Sequence, residues 1–137
     1  MALKRRVYVA FDYDDLGVKQ NLIAESARPD CPWEFIDNSI RSALTDQWIA
    51  EARRLIQGSD CVIVLCGKQT HQAAGVSTEV QITQELGKPY FLISCTREGI
   101  PTAPKHARSS DKVWTYRWPT LLALLNGQTP SQSAEAR

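Results

Sequence analysis

Apolar residues along the chain fall into short runs that alternate with segments of helical spacing. The longest run, Cys61 to Cys66, reads C-V-I-V-L-C and has the length of a strand. Because it contains no charged or amide side chain, both of its faces should be buried, as in the middle of a parallel sheet. Further β-branched and aromatic runs predict four more strands, at Arg6 to Phe11, Trp33 to Asp37, Tyr90 to Cys95 and Val113 to Tyr116.

Helical spacing predicts four helices between and after these strands. They run from Asp14 or Asp15 to about Arg28, from about Thr45 to Gln57, from Gly75 or Val76 to Gly87, and from Trp118 to Leu125. Strands that alternate with helices indicate an α/β fold with a parallel sheet covered on both faces. Five such strands favour the flavodoxin-like, doubly wound order 2-1-3-4-5, in which the loops after strands one and three flank a single crevice.

A chain of 137 residues, 43% of them apolar, is long enough for one domain with a substantial core. We assign residues 1–126 to that domain and expect a disordered tail at 127–137, where alanine is the only apolar residue type. The net charge of +1 predicts neither a nucleic-acid nor a membrane partner. No signal peptide or membrane-spanning run stands out, so a cytoplasmic protein is expected.

The four cysteines indicate neither a metal site nor a disulfide framework, since Cys31, Cys61, Cys66 and Cys95 include no CxxC pair. Cys61 and Cys66 are five positions apart on one strand, so their side chains should point to opposite faces and cannot bridge. Buried structural thiols in a reducing compartment are the better interpretation.

Common nucleotide-binding motifs are missing after the strands. No GxGxxG and no GxxxxGK[ST] is present. The loop after strand one, Asp12 to Asp15, is acidic and would repel the phosphate of a flavodoxin-type ligand. A phospho-receiver stays conceivable from that acidic loop, although it would need an aspartate after strand three, where the chain has Cys66-Gly67.

Glu79 is the single carboxylate in the loop after strand three and the start of the helix that follows, where the crevice would lie. No capping-box partner precedes it, because Val76 stands three residues earlier, and no cation lies one helical turn away. It should lie at the edge of the buried helix face, roughly 60–100° around the helix from Val76 and Val80. A functional carboxylate and a solvated one near the helix start both remain open. At such an edge, Glu79→Gln should change the free energy of unfolding by less than about 1 kcal/mol.

Polar residues in the loops after the first three strands are weaker candidates. Asp12 and Asp37 could contact a ligand or only act as caps, and Tyr13 could stack on a base or pack locally. His71 has no Cys or Ser partner for a nucleophilic dyad, which favours an ordinary loop histidine. The residues that could hydrogen-bond a ligand from these loops are Ser39, Gln69, Thr70 and His71.

Four stretches carry a resemblance to a known family. They read R-V-Y-V-A-F-D-Y-D-D, F-I-D-N-S, I-A-E-A-R-R-L-I-Q-G-S-D-C-V-I-V-L-C-G-K-Q-T and G-V-S-T-E-V-Q-I-T-Q-E-L-G-K-P. In this order, with Glu79 on the helix after strand three, they resemble the bacterial TIR-like proteins of the Thoeris anti-phage type. The resemblance covers roughly Arg6 to Cys95 and implies the TIR-like form of the fold predicted above.

This resemblance implies NAD cleavage with release of nicotinamide, NAD being the substrate and no cofactor being required. Glu79 would contact the ribose next to nicotinamide, while Phe11 to Tyr13 and Asp37 to Ser39 would border the pocket. The product would be a cyclic or conjugated ADP-ribose signal that acts on a separate effector protein. TIR-like enzymes often assemble, so a homo-oligomer is expected, with Ile40 and Leu44 exposed in the loop after strand two.

The chain departs from the family pattern at one position, and two other functions stay open. Family members often carry an aromatic residue, commonly Trp, four positions before the glutamate, where this chain has Gly75. TIR folds also serve as non-catalytic assembly modules, joined through the loop that Asn38 to Leu44 would form here. A nucleoside N-glycosyl transferase on a similar fold is the third possibility. Release of nicotinamide from NAD would separate the first function from the other two.

Overall fold

The computed structural model describes residues 5–11, 16–27, 31, 33–36, 45–96 and 100–127. In the described ranges no helix combines the length and the apolar character needed to cross a lipid bilayer. A single turn of 3-10 helix, Thr70–Gln72, connects the third strand to the third helix. The strands and helices, in chain order, are β1 (Arg5–Ala10), α1 (Leu16–Ser26), β2 (Trp33–Phe35), α2 (Asp46–Gln57), β3 (Cys61–Cys66), α3 (Ala74–Glu85), β4 (Tyr90–Ser94), β5 (Val113–Trp114) and α4 (Trp118–Leu125).

The five strands within the described ranges are parallel and form one sheet in the order β2-β1-β3-β4-β5, which confirms the predicted fold. β1 pairs with β3 from Val7 opposite Cys61 to Ala10 opposite Val64. The chain leaves β1 towards β2 on one side and returns to β3 on the other. The carboxyl ends of β1 and β3 therefore flank the switch point where ligands bind in sheets of this type.

The central strand β3 separates two apolar layers, and all six of its residues are buried. On one face of the sheet, Cys61, Ile63 and Leu65 pack with residues of α1 and α4. On the other face, Val62, Val64 and Cys66 pack with residues of α2 and α3. Cys61 and Cys66 thus lie on opposite faces, as the strand period of two requires.

The end of α3 follows from its glycine. Gly87 has a φ of 69°, a left-handed conformation that glycine adopts without the steric cost of a Cβ. The N–H of Gly87 donates to Gln84 O at 3.1 Å, and that of Lys88 to Thr83 O at 3.1 Å. These two bonds form a Schellman motif, which satisfies carbonyls in the last turn. The helix stop predicted from Gly87-Lys88-Pro89 is confirmed.

Two strands at the sheet edges are shorter than predicted. β2 ends at Phe35, and β5 has two residues where the sequence predicted four. β5 is an edge strand that pairs with β4. This pairing has two positions, Leu92 opposite Val113 and Ile93 opposite Trp114. Of the predicted tail at 127–137, only Gly127 lies within the described residues.

Burial raises the pKa of the Cys61 thiol to about 12. The folded protein therefore keeps this proton between about pH 9 and 12, whereas the unfolded chain loses it, and stability falls as pH rises through that window. We expect the free energy of unfolding of the parent, measured with urea, to fall between pH 8 and pH 10 by roughly 1–2 kcal/mol more than that of Cys61→Ala. An equal loss in both proteins would show that the folded thiol ionises normally.

Candidate functional site

Glu79 lies in the middle of α3 and is only 1% exposed. It belongs to the buried side of the helix, together with Val76, Val80 and Ile82. The expectation that Glu79 stands at the edge of this side was therefore wrong. The carboxylate can be accommodated inside the domain because a polar partner lies there too, across the interface between α3 and the sheet.

That partner is Tyr8 in β1, which is 2% exposed. Its hydroxyl donates a hydrogen bond to Oε2 of Glu79. A carboxylate in apolar surroundings is costly unless it is hydrogen-bonded, and bonds to charged groups are among the stronger ones in proteins. The pair joins α3 to β1 across 71 positions of sequence, so it orients the carboxylate as well as linking two elements.

Sequence reasoning missed Tyr8, although the sequence carries a signal for it. β1 reads R-R-V-Y-V-A, so one phenol interrupts a run of small and β-branched residues. A tyrosine buried in a strand needs a hydrogen-bond partner for its hydroxyl. A carboxylate one sheet layer away, on the helix after β3, is such a partner.

Gly75, where the resemblance led us to expect an aromatic residue, faces an aromatic ring from another helix. A Cβ built on Gly75 would lie 3.9 Å from Cη2 and 4.0 Å from Cζ2 of Trp48 in α2. These are ordinary van der Waals distances, so a methyl group fits there. A larger side chain would have to share the space with the indole of Trp48, which is itself buried.

We expect Gly75→Ala to stabilise the protein by roughly 0.5–1 kcal/mol, because alanine restricts the unfolded chain and favours the helix. Gly75→Trp should instead destabilise it, by about 1–3 kcal/mol, since its indole competes with Trp48 for space. Urea unfolding of both variants measures these changes. A destabilised Gly75→Ala would contradict the contact distances at this position.

Phe11 lies on the other face of the sheet from Glu79. Its side chain is 2% exposed and belongs to the apolar layer under α1 and α4, whereas Tyr8 belongs to the layer under α2 and α3. The ammonium of Lys19 lies 4.6 Å from the centre of the Phe11 ring. The structure therefore does not bring the Phe11 ring to Glu79, and a role in substrate binding stays a prediction.

The three candidates after β3 have different surroundings. Gln69 is exposed. Thr70 is fully buried, and its Oγ1 accepts the N–H of Gly67 at 2.7 Å, so it stabilises the turn that leaves β3. Nδ1 of His71 lies 3.0 Å from Oγ1 of Thr102, in the segment after β4. His71 is thus directed to that segment and not to the Tyr8–Glu79 pair.

Asp12, Tyr13, Asp37 and Ser39 lie outside the described residues, as does the loop Asn38 to Leu44. Their predicted roles in substrate binding and assembly stay predictions. Among the residues that the structure does describe, no group of three or more His, Cys, Asp and Glu side chains is placed to hold a metal ion.

Solved structures with similar architecture include a prokaryotic SEFIR domain. It matches with a TM-score of 0.54 and 16% sequence identity, over 90% of this chain and 89% of that chain. At this identity the likeness shows the fold alone. A 2-deoxyribosyltransferase from the psychrotolerant bacterium Bacillus psychrosaccharolyticus matches with a TM-score of 0.49 and 20% identity, over 69% of this chain and 76% of that chain. That second likeness is too distant to bear on function.

A comparison with curated proteins found no match. A protein family does match, and the match spans residues 8–98, which is more than half of the chain. The family is described as Thoeris protein ThsB, TIR-like domain. The match begins within β1, extends past the end of β4 and includes both Tyr8 and Glu79. The chain therefore belongs to the family of Thoeris ThsB TIR-like domains.

Proposed function

We propose that this protein cleaves NAD between nicotinamide and ribose, and that the cleavage serves anti-phage defence of the Thoeris type. Membership of the ThsB TIR-like family supports the proposal. The observation that carries it is Glu79, a buried carboxylate on the helix after the central strand, oriented by the hydroxyl of Tyr8. A fixed carboxylate is the group needed to stabilise positive charge that develops on a ribose.

In the proposed reaction, the bond between C1′ of the ribose and the nicotinamide nitrogen breaks. Its electron pair leaves with nicotinamide, which becomes neutral, and positive charge develops over C1′ and the ring oxygen of the ribose. The carboxylate of Glu79 stabilises this charge, as carboxylates do in glycoside cleavage. Attack by water at C1′ gives ADP-ribose and a proton, whereas attack by a nucleophile of the nucleotide itself or of a second molecule gives a cyclic or conjugated signal for a separate effector.

The burial of Glu79 adds a condition to this proposal. A carboxylate that is 1% exposed cannot touch a ribose until the groups that cover it move. We therefore expect low activity in the isolated protein and higher activity when self-association or another trigger exposes the carboxylate. The same low-polarity surroundings strengthen the electrostatic interaction once the ribose is bound and water is excluded.

The second candidate function is a non-catalytic assembly module. It needs no catalytic carboxylate, and a carboxylate that is fully buried and bonded to a strand tyrosine also meets the requirements of a structural link between α3 and β1. In that case Tyr8 and Glu79 would contribute to stability alone. The geometry of Tyr8 and Glu79 is therefore the same for both functions, and cleavage of NAD is the property that distinguishes them.

Incubation of the concentrated protein with NAD, followed by mass spectrometry of the products, tests the proposal. We expect free nicotinamide and an ADP-ribose derivative in equal amounts, and about 100-fold less of both from Glu79→Gln. Sedimentation of the same samples reports the assembly state. If the assembled parent protein releases no nicotinamide, with bacteriophage lysate added as a trigger or without it, the proposal of NAD cleavage fails and the assembly module is favoured over it.

A further inference from the structure

A surface cleft of about 240 Å³ opens between the first turns of α3 and the segment that follows β4. Two alanines of the α3 start form part of its wall. Residues from both sides of the cleft carry polar or basic groups. These are His71, Gln72, Ser77, Thr78, Lys105 and His106.

One wall of the cleft, here called the outer wall, is formed by Lys105 and His106 in the segment after β4. Hydrogen bonds from α3 hold this wall in place. The Oγ of Ser77 accepts the backbone N–H of Lys105 at 2.9 Å, and Nε2 of Gln84 donates to the backbone carbonyl of His106 at 2.7 Å. Both bonds use the backbone of the outer segment, so the side chains of Lys105 and His106 take no part in them. The backbone of this wall is therefore held in place without a ligand, and the exposed side chains of Lys105 and His106 extend from it.

A third basic group, His71, is oriented from the opposite wall. The Oγ1 of Thr102 accepts the backbone N–H of His71 at 3.0 Å and lies 3.1 Å from Gly67 O, to which it donates. Its one hydrogen is then used, so Nδ1 of His71, at 3.0 Å from Oγ1, is the donor in their contact. A ligand on this imidazole would bind through Nε2.

Among the described residues that line the cleft, the formal charge is the ammonium of Lys105, and none of them is a carboxylate. The imidazoles of His71 and His106 add ring nitrogens to the lining. The volume lies below the roughly 300–1,000 Å³ of pockets for drug-sized molecules. A phosphate or diphosphate group is an anion of suitable size, and lysine ammonium groups are common phosphate ligands in proteins.

We propose that this cleft binds the phosphate or diphosphate group of a small molecule. Ser77 and Thr78 precede Glu79 by two residues and one residue, which places them about 200° and 100° around the helix from it. The cleft therefore lies on the outer side of α3, whereas Glu79 faces β1. It is a site separate from the proposed catalytic carboxylate, and it does not depend on NAD cleavage.

Titration of ¹⁵N-labelled protein with pyrophosphate, monitored by NMR, tests this site in the absence of NAD. Saturable shifts should appear at His71, Lys105 and His106. Lys105→Ala with His106→Ala should weaken binding at least about tenfold, because one ammonium and one imidazole contact are lost while the backbone bonds to Ser77 and Gln84 remain. Lys68→Ala is the matched control, since Lys68 is exposed nearby but does not line the cleft, and it should bind within about twofold of the parent.

Parallel titrations with orthophosphate, AMP and adenosine identify the group that is recognised. Binding of orthophosphate alone points to an inorganic anion, and tighter binding of AMP points to a nucleotide, but both support a phosphate site. Adenosine should not bind. The proposal is overturned if pyrophosphate produces no saturable shifts in the parent, if adenosine binds as well as AMP, or if the double variant binds as the parent does. Melting curves of all variants, expected within about 2 °C of one another, confirm that each is folded.

Discussion

Glu79→Gln is expected to lower nicotinamide release by about 100-fold or more. The amide keeps the size of the side chain and an acceptor for the hydroxyl of Tyr8, but it removes the negative charge that would stabilise the ribose cation. Loss of one preorganised electrostatic group costs about 10²–10³ in turnover in well-studied enzymes. Nicotinamide should be quantified under single-turnover conditions with NAD in excess of its KM, so that the chemical step is measured.

The same substitution should also reduce stability, contrary to the small effect predicted from the sequence alone. Glutamine brings an NH₂ group into a position that is 1% exposed, and a buried donor without an acceptor costs about 1–3 kcal/mol. We expect the free energy of unfolding of Glu79→Gln, measured with urea, to be lower than that of the parent by this amount. Activity should therefore be compared well below the melting transition of the variant.

Glu85→Gln provides a matched control on the same helix. Glu85 is exposed, and its Oε1 lies 2.6 Å from Nη2 of Arg53 in α2. An exposed ion pair of this kind contributes about 0–1 kcal/mol, so both stability and activity should stay close to the parent. If Glu79→Gln releases nicotinamide at the parent rate while remaining folded, Glu79 has no part in the reaction.

The fold was predictable from local patterns. The run Cys61 to Cys66 is apolar at every position, and this indicated a strand with two buried faces, which became the central β3. The alternation of strands and helices predicted a parallel sheet, and five such strands favoured the flavodoxin-like order that the structure has. The end of α3 followed from Gly87, because only glycine readily adopts the backbone conformation found there.

The position of Glu79 was not predictable in the same way. Helix spacing compares Glu79 with residues three and four positions away, whereas the hydroxyl of Tyr8 that bonds to its carboxylate comes from a strand. Tyr8 is 71 positions distant, and its approach depends on how α3 crosses β1, which no local pattern contains.

The strand period would have separated Phe11 from Tyr8, since residues three apart point to opposite faces, and the structure places them in opposite layers.

The segment after β4 is also positioned by contacts with residues distant in sequence. The sequence predicted a polar loop from Thr96 to Lys112, and the described part of it is indeed without regular structure. Its attachment to α3 and β4 depends on single side chains, such as Gln84 to His106 O and Tyr90 to Asp111. Contacts of this type leave no periodic signal, so the cleft that they shape appears only in the structure.

Tyr8→Phe is the second substitution with a large expected effect, and it separates a positioning role from a structural one. Removal of the hydroxyl takes away a hydrogen bond to a carboxylate, which should lower stability by about 1.5–3 kcal/mol. If Tyr8 orients Glu79 for NAD cleavage, kcat should also fall, by roughly tenfold, with little change in KM, because the lost interaction acts on the transition state. Urea unfolding and steady-state nicotinamide release measure the two effects on one preparation.

Two comparisons make the Tyr8 result decisive. Tyr90→Phe removes the hydroxyl that bonds to Asp111 away from Glu79, so it should reduce stability without changing kcat. In a Glu79→Gln background, Tyr8→Phe should cause no further loss of turnover beyond about twofold, because the two residues act through one group. A Tyr8→Phe protein that is less stable yet turns over at the parent rate would show that the hydroxyl only links β1 to α3. An equal loss of kcat in both Glu79 backgrounds would show that Tyr8 acts on the substrate by a separate route.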